Sequence, residues 1–170
     1  MRATIRERGS LRVSLFVAAL ATWAAATIAT AALATLPVAA LLPLLLLAAG
    51  FEAVFQLHTG VERIGRYLQV FYDEPGEAVP GRSWERVAMA YGRAHPGPTD
   101  PLFSTFFALA TVLNFVPVFL AEPVQADVAV VGAIHLLFVA RLVIARRTAA
   151  RQRALDLERF MRIKEARAAG

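Results

Sequence analysis

Hydrophobic positions in this chain fall into long unbroken runs instead of the one-faced pattern of a soluble protein. From Val13 to Phe51 no residue is charged, and a second charge-free run extends from Pro101 to Ala121. Read as one helix, the first run would be about 58 Å long, near twice a hydrocarbon core of roughly 30 Å. It must therefore fold back. The break falls at Thr35-Leu36-Pro37, where threonine caps a helix and proline suits its first turn. This predicts span 1 over 12–33 and span 2 over 37–57, with Pro43 kinking the second.

The helical pattern outlasts span 2. Val61, Ile64, Leu68 and Phe71 recur at spacings of three and four, without proline until Pro75. Helix 2 is thus expected to project several turns beyond the span, and Gly60 and Gly65 to mark close packing against another helix. Residues 73–82 read as a Pro/Gly loop. Ser83 then caps a short helix to Arg93, with Trp84, Val87, Ala88 and Tyr91 on one face and Arg86 and Arg93 beside it. That face suits a membrane interface or packing on the projection of helix 2. A second breaker, His95 to Pro101, leads through an Asp100 cap into span 3 over 101–120, with Pro117 near its end. Glu122-Pro123 repeats the cap-then-proline start for span 4 over 123–145. Span 4 continues as a basic helix over 146–170, in which Leu157, Phe160, Met161 and Lys164 form a partly apolar stripe beside Arg151, Arg153, Arg159, Arg162 and Arg167.

Composition agrees with this reading. Hydrophobic residues make up 58% and charged residues 18% of the 170, and so small a soluble domain could not bury such runs. The net charge of +5 raises the question of nucleic acid, but the placement of the charges answers it. Four spans put every Lys and Arg on one side or at the span ends facing it. The opposite hairpins, near 34–36 and 121–126, hold none and carry Glu122, with Asp127 just beyond. By the positive-inside rule the basic side is cytoplasmic, which implies N-in and C-in topology, an anionic inner leaflet as the basic partner, and no nucleic acid. The start of the chain also resembles a secretory signal, but its apolar stretch is too long and a second span follows at once, so an uncleaved first span is expected. The arginine-for-lysine and alanine bias suggests a GC-rich bacterial genome, and with the placement of the basic charge the expected location is a bacterial inner membrane. Cysteine is absent, which removes disulfides and thiolate chemistry.

The expected fold is therefore all-α: a single integral-membrane four-helix bundle, with cytoplasmic extensions of helices 2 and 4, a connecting segment over 58–100 and a short interfacial loop helix. No Gly-rich phosphate loop, HExxH, nucleophile elbow or carboxylate pair is present, so no enzyme is expected. Candidate chemistry rests on polar residues at membrane depth. Glu52 and Arg141 lie about 8–9 Å inside the cytoplasmic face on helices 2 and 4. They could pair, snorkel separately, or leave Glu52 as a proton or cation site. Asn114 and His135 lie deeper, about 16–20 Å in and level with Trp23, where a polar clamp is favoured over a ligand site. At the interface His58, Glu62 and Arg66 share a helix face next to Arg63. Histidine and carboxylate at this spacing suit a metal, but Glu62 and Arg66 suit a surface ion pair better.

No cofactor is implied. Haem would need facing histidines, and His58 and His135 differ in depth by about 15 Å, leaving only His135 with its symmetry mate in a homodimer. Three functions follow in order: a scaffold or accessory subunit presenting a cytoplasmic helical platform to a protein partner or a second copy; a homo-oligomeric proton-coupled transporter or channel using Glu52; and a haem- or quinone-linked redox subunit.

Overall fold

The computed structural model describes residues 2–33, 35–71 and 101–169, with side chains from residues 7 and 103 onward in the first and third segments. The loop over 73–82, the short helix over 83–93 and the Asp100 cap lie outside the described residues. Those described are all helical, with no strand, and include four helices long and apolar enough to cross a membrane.

Helix α1 spans Arg2–Leu33 and includes the basic start of the chain. The chain then turns through Thr35 and Leu36 into a 3-10 turn, Pro37–Ala40, and on into α2, Leu41–Phe71. The capping residue is Leu36, not Thr35, and its side chain makes no capping bond. Its extended backbone is what a residue before proline must adopt. Pro43 is the third residue of α2, where an N–H has no helical partner to lose. Its place is therefore at the helix start, and the expected mid-span kink loses its cause.

The third span is broken. Helix α3, Pro101–Leu113, and α4, Val116–Leu120, are separated by a turn at Asn114 and Phe115. Pro117 offers no N–H to the Leu113 carbonyl and its ring crowds that position. The chain responds by tightening: Phe115 N–H donates to Val112 O at 3.1 Å and Val118 N–H to Phe115 O at 3.2 Å. Helix α5, Gln125–Ala168, starts two residues later than the Glu122-Pro123 reading placed it. Its cap is Val124, whose N–H donates to Asp127 Oδ2 at 3.4 Å, while Glu122 sits in the turn at φ 48°.

Side-chain contacts run in step along α2 and α5, so the two helices are parallel: 52 meets 141, 63 meets 156 and 70 is reached from 164. On α5 the buried residues Val131, His135, Phe138, Leu142, Ala145, Ala149 and Asp156 follow a heptad spacing. The upper part of that seam packs on Leu44, Leu47, Phe51 and Val54 of α2 and Phe107 and Ala110 of α3. Among its described side chains helix α1 has none fully buried, yet Leu15, Phe16, Leu20 and Trp23 pack against this core and the helix meets α2 closely. A Cβ added at Gly50 would stand 2.4 Å from the Ala19 Cβ. By contrast, nothing lies within 4 Å of one added at Gly65, and only the Arg8 guanidinium approaches Gly60, at 3.4 Å. The glycine that permits close helix packing is therefore Gly50, not Gly60 or Gly65.

Candidate functional site: a polar hub, an ion-pair clamp and a paired rod

The break between α3 and α4 puts Asn114 inside the bundle, fully buried. A primary amide offers two donors and two acceptor lone pairs, and here each is engaged. Oδ1 accepts from Trp23 Nε1 at 3.0 Å and from Thr27 Oγ1 at 3.2 Å. Nδ2 donates to Ala40 O at 2.9 Å and to His135 Nε2 at 3.0 Å. The Thr27 proton is shared with the Trp23 carbonyl, 2.9 Å away. Donor-only indole on one side and acceptor-only carbonyl on the other leave a single orientation for the amide. His135 Nε2 must then accept, so its proton lies on Nδ1 and is donated to Val131 O at 2.8 Å. One residue thus ties α1, the 3-10 turn, the α3–α4 break and α5. The amide of Asn114 and both ring nitrogens of His135 are fully engaged, and ligation of a haem by His135 would first have to break one of its two bonds.

Nearer the far end of α2 and α5, Arg141 Nη2 donates to Glu52 Oε2 at 2.8 Å. The guanidinium also lies over the rings of Phe55 and Phe51, 5.5 and 5.9 Å from their centroids. Both side chains are about two fifths exposed, at 41% and 39%, so the pair clamps the flank of the α2–α5 seam instead of lining an interior path. Either charge alone in an apolar surrounding is costly, whereas an apolar pair of similar volume is tolerated. Glu52→Leu or Arg141→Met alone should therefore lower the thermal midpoint in detergent, and the double variant should recover most of the loss. Losses that simply add would show that the two residues do not act together.

Beyond Leu57 the two helices form a rod. His58 bonds through Nδ1 to Arg12 Nη1 at 2.8 Å and stands 3.7 Å from Glu62. Arg153 approaches the same carboxylate at 3.4 Å. A metal cation would have to enter between these guanidinium groups, so the histidine–carboxylate spacing serves an ion-pair network. Arg63 Nε donates to Asp156 Oδ2 at 3.2 Å, and Gln152 Nε2 to Oδ1 at 2.9 Å. Thus the adjacent Glu62 and Arg63 of α2 meet Arg153 and Asp156 of α5 in opposite order of charge. Arg66 lines a narrow polar groove with Thr59, Gln152 and the same four residues. Further out, Tyr67, Phe71 and Phe160 pack ring against ring, Arg167 lies over Phe71, and Lys164 Nζ donates to Val70 O at 3.0 Å. That last bond places a cation on a carbonyl in the final turn of α2, where the helix dipole favours one.

Asp156, 8% exposed, has a central place that sequence reasoning missed. It stands one heptad after Ala149, so continuing the seam period would have found it. The stripe expected on this helix is also shifted: Phe160 and Lys164 face α2, whereas Met161 is 44% exposed. No family model, curated protein or solved structure matches the chain.

Proposed function

We propose that this is a four-span protein of a bacterial inner membrane, with both termini cytoplasmic, that works as a non-enzymatic scaffold or accessory subunit. Its working part would be the α2–α5 rod, offered to a protein partner or to a second copy. The observation that carries this reading is that two helices outrun the apolar zone in the same direction and are bonded to each other along the excess. Helix α5, with 44 residues, is about 66 Å long, roughly twice what a hydrocarbon core requires. A merely solvated tail would have no reason to bury Asp156 or to match charges across two helices. Lipid as solvent accounts for large apolar side chains that face outward, among them Val17, Ile28, Leu136 and Leu137. The positive-inside rule sets the direction, because the rod carries arginine while the hairpins near 34–36 and 121–124 carry none. A transport role for Glu52 is less well supported, since its carboxylate is committed to Arg141.

Deleting 148–170 should leave the chain membrane-inserted but abolish a co-purifying partner or self-association in mild detergent. Because the chain has no cysteine, single cysteines at Thr35 and Thr148 can report the side of the membrane in the same cells. Labelling of position 35 alone from outside is expected. An unchanged complex after the deletion would refute the platform, and external labelling at 148 would refute the topology.

A further inference from the structure

At the root of the rod a third helix joins α2 and α5. Helix α1 reaches α2 there through Arg12, whose Nη1 stands 2.8 Å from His58 Nδ1. A guanidinium carries five N–H donors and no acceptor, so the imidazole must accept. His58 is therefore neutral, with its proton on Nε2, the nitrogen that faces Glu62 at 3.7 Å. A single added proton reverses the contact with Arg12. An imidazolium has two N–H donors and a positive charge, so Nδ1 no longer accepts and two cations are left at hydrogen-bond distance.

The charges brought to the ring by each helix decide which partner leaves. Helix α1 supplies Arg12, with Arg8 one turn away toward Gly60. Helix α2 supplies Glu62, whose other oxygen is approached by Arg153 of α5 at 3.4 Å. Arg146 of α5 and Phe103 and Ser104 of α3 line the same cleft as His58, and α3 has no charged residue in its described part. Among the described residues, the carboxylate facing the ring thus belongs to its own helix and meets Nε2. Protonated His58 keeps Glu62, and Arg12 departs. The Phe103 ring, 4.9 Å from the guanidinium carbon, attracts Arg12 without neutralising it and so does not restore the link. The deeper part of α1 stays seated, since Ala19 packs on Gly50 about two turns further in.

We propose that His58 and Arg12 form a proton-sensitive latch. Closed at neutral pH, it ties the start of α1 to the root of the rod, and mild acid opens it by turning the His58 acceptor into a second donor. Histidine is the side chain whose ordinary titration falls between about pH 5 and 8. The latch rests on the scaffold reading for its purpose, regulation of the rod, but not for its geometry. Because the chain has no cysteine, nitroxide labels can be placed on Arg8→Cys and Gly60→Cys in the full-length protein in detergent. The Arg8 guanidinium, 3.4 Å from a Cβ built at Gly60, is absent from this pair, so the new side chain has room. Strong dipolar broadening is expected at about pH 7.5, with most of it lost at about pH 5 and recovered on return. His58→Asn, whose Oδ1 takes the place of Nδ1 and does not titrate, should keep the labels close at both pH values. Arg12→Gln should do the same, because a primary amide donates to the neutral ring and accepts from the charged one. Labels already apart in the wild type at about pH 7.5, or still close at about pH 5, would overturn the proposal. So would an acid opening that His58→Asn and Arg12→Gln repeat in full. No partner takes part in this measurement, so failure of the latch is distinct from failure of the scaffold reading, which the 148–170 deletion reports.

Discussion

Asn114→Ala should loosen the whole bundle, lowering unfolding stability in detergent by about 3–4 kcal/mol, since four interhelical bonds of roughly 1 kcal/mol each disappear together. The loss is not confined to the missing side chain. Trp23 Nε1, the Ala40 carbonyl and His135 Nε2 would each lose a buried partner, and orphaned buried polar groups carry their own penalty. Thr27→Val is the contrasting case. It removes only a shared hydroxyl, and the expected loss is under about 1 kcal/mol. Because His135 and Asn114 bond each other, His135→Ala should cost less in the Asn114→Ala background than in the wild type, with a coupling of about 1 kcal/mol. Thermal midpoints of the four proteins give this cycle directly. A midpoint for Asn114→Ala equal to that of the parent would mean that the hub does not hold the helices together.

Gly50→Ala should destabilise the chain by about 1–3 kcal/mol, although it adds a single methyl group and favours a helix locally. The new Cβ would lie 2.4 Å from the Ala19 Cβ, and neither atom belongs to a flexible side chain that can swing away. The backbones of α1 and α2 must separate instead. The described side chains of helix α1 are at most partly buried, so a shift threatens both its packing through Leu15, Phe16, Leu20 and Trp23 and its Trp23 and Thr27 bonds to Asn114. Ala19→Gly should restore most of the stability of Gly50→Ala by reopening the space from the other side. Gly65→Ala, where nothing lies within 4 Å, should be neutral or slightly stabilising. Should Gly65→Ala prove the more damaging of the two, the assigned helix contact is wrong. The same melting assay serves all these variants, and a change of 1 kcal/mol corresponds to roughly 2–4 °C for a domain of this size.

The four apolar helices were legible because charge is excluded from long runs, and because Thr35-Leu36-Pro37 and Glu122-Pro123 interrupt them. The continuation of α2 to Phe71 was legible for a related reason: the period of three and four persists after the apolar run ends. The pairing of Glu52 with Arg141 could be posed from depth alone, since both helices can be counted from the same side. Depth could not choose between pairing and separate snorkelling, because it contains no angle around the helix axis.

Asn114 shows where such counting stops. Its depth could be estimated and a polar clamp suggested, but its four partners come from three separate elements, and the bond to Ala40 is to backbone. No residue pattern announces which backbone carbonyl a distant amide will reach. The break that delivers Asn114 follows from Pro117, whose position was plain, but whether a proline bends a helix, ends it or interrupts it depends on what can accept the freed groups. Gly50 was invisible for another reason: it lies in an alanine- and leucine-rich stretch where any residue could face any neighbour, and only the crossing of α1 over α2 singles it out.

What the sequence by itself determined is the solvent-scale organisation: four apolar helices, their order, the two long ones and the side on which basic charge collects. These depend on composition and period, which each segment carries alone. What only the tertiary structure decided is partnership: the parallel α2–α5 seam, the closed hydrogen-bond set of Asn114, the burial of Asp156 and the contact at Gly50. Each depends on a few ångströms and a rotation angle between segments far apart in the chain, quantities that no segment encodes locally and that emerge when all the helices pack at once.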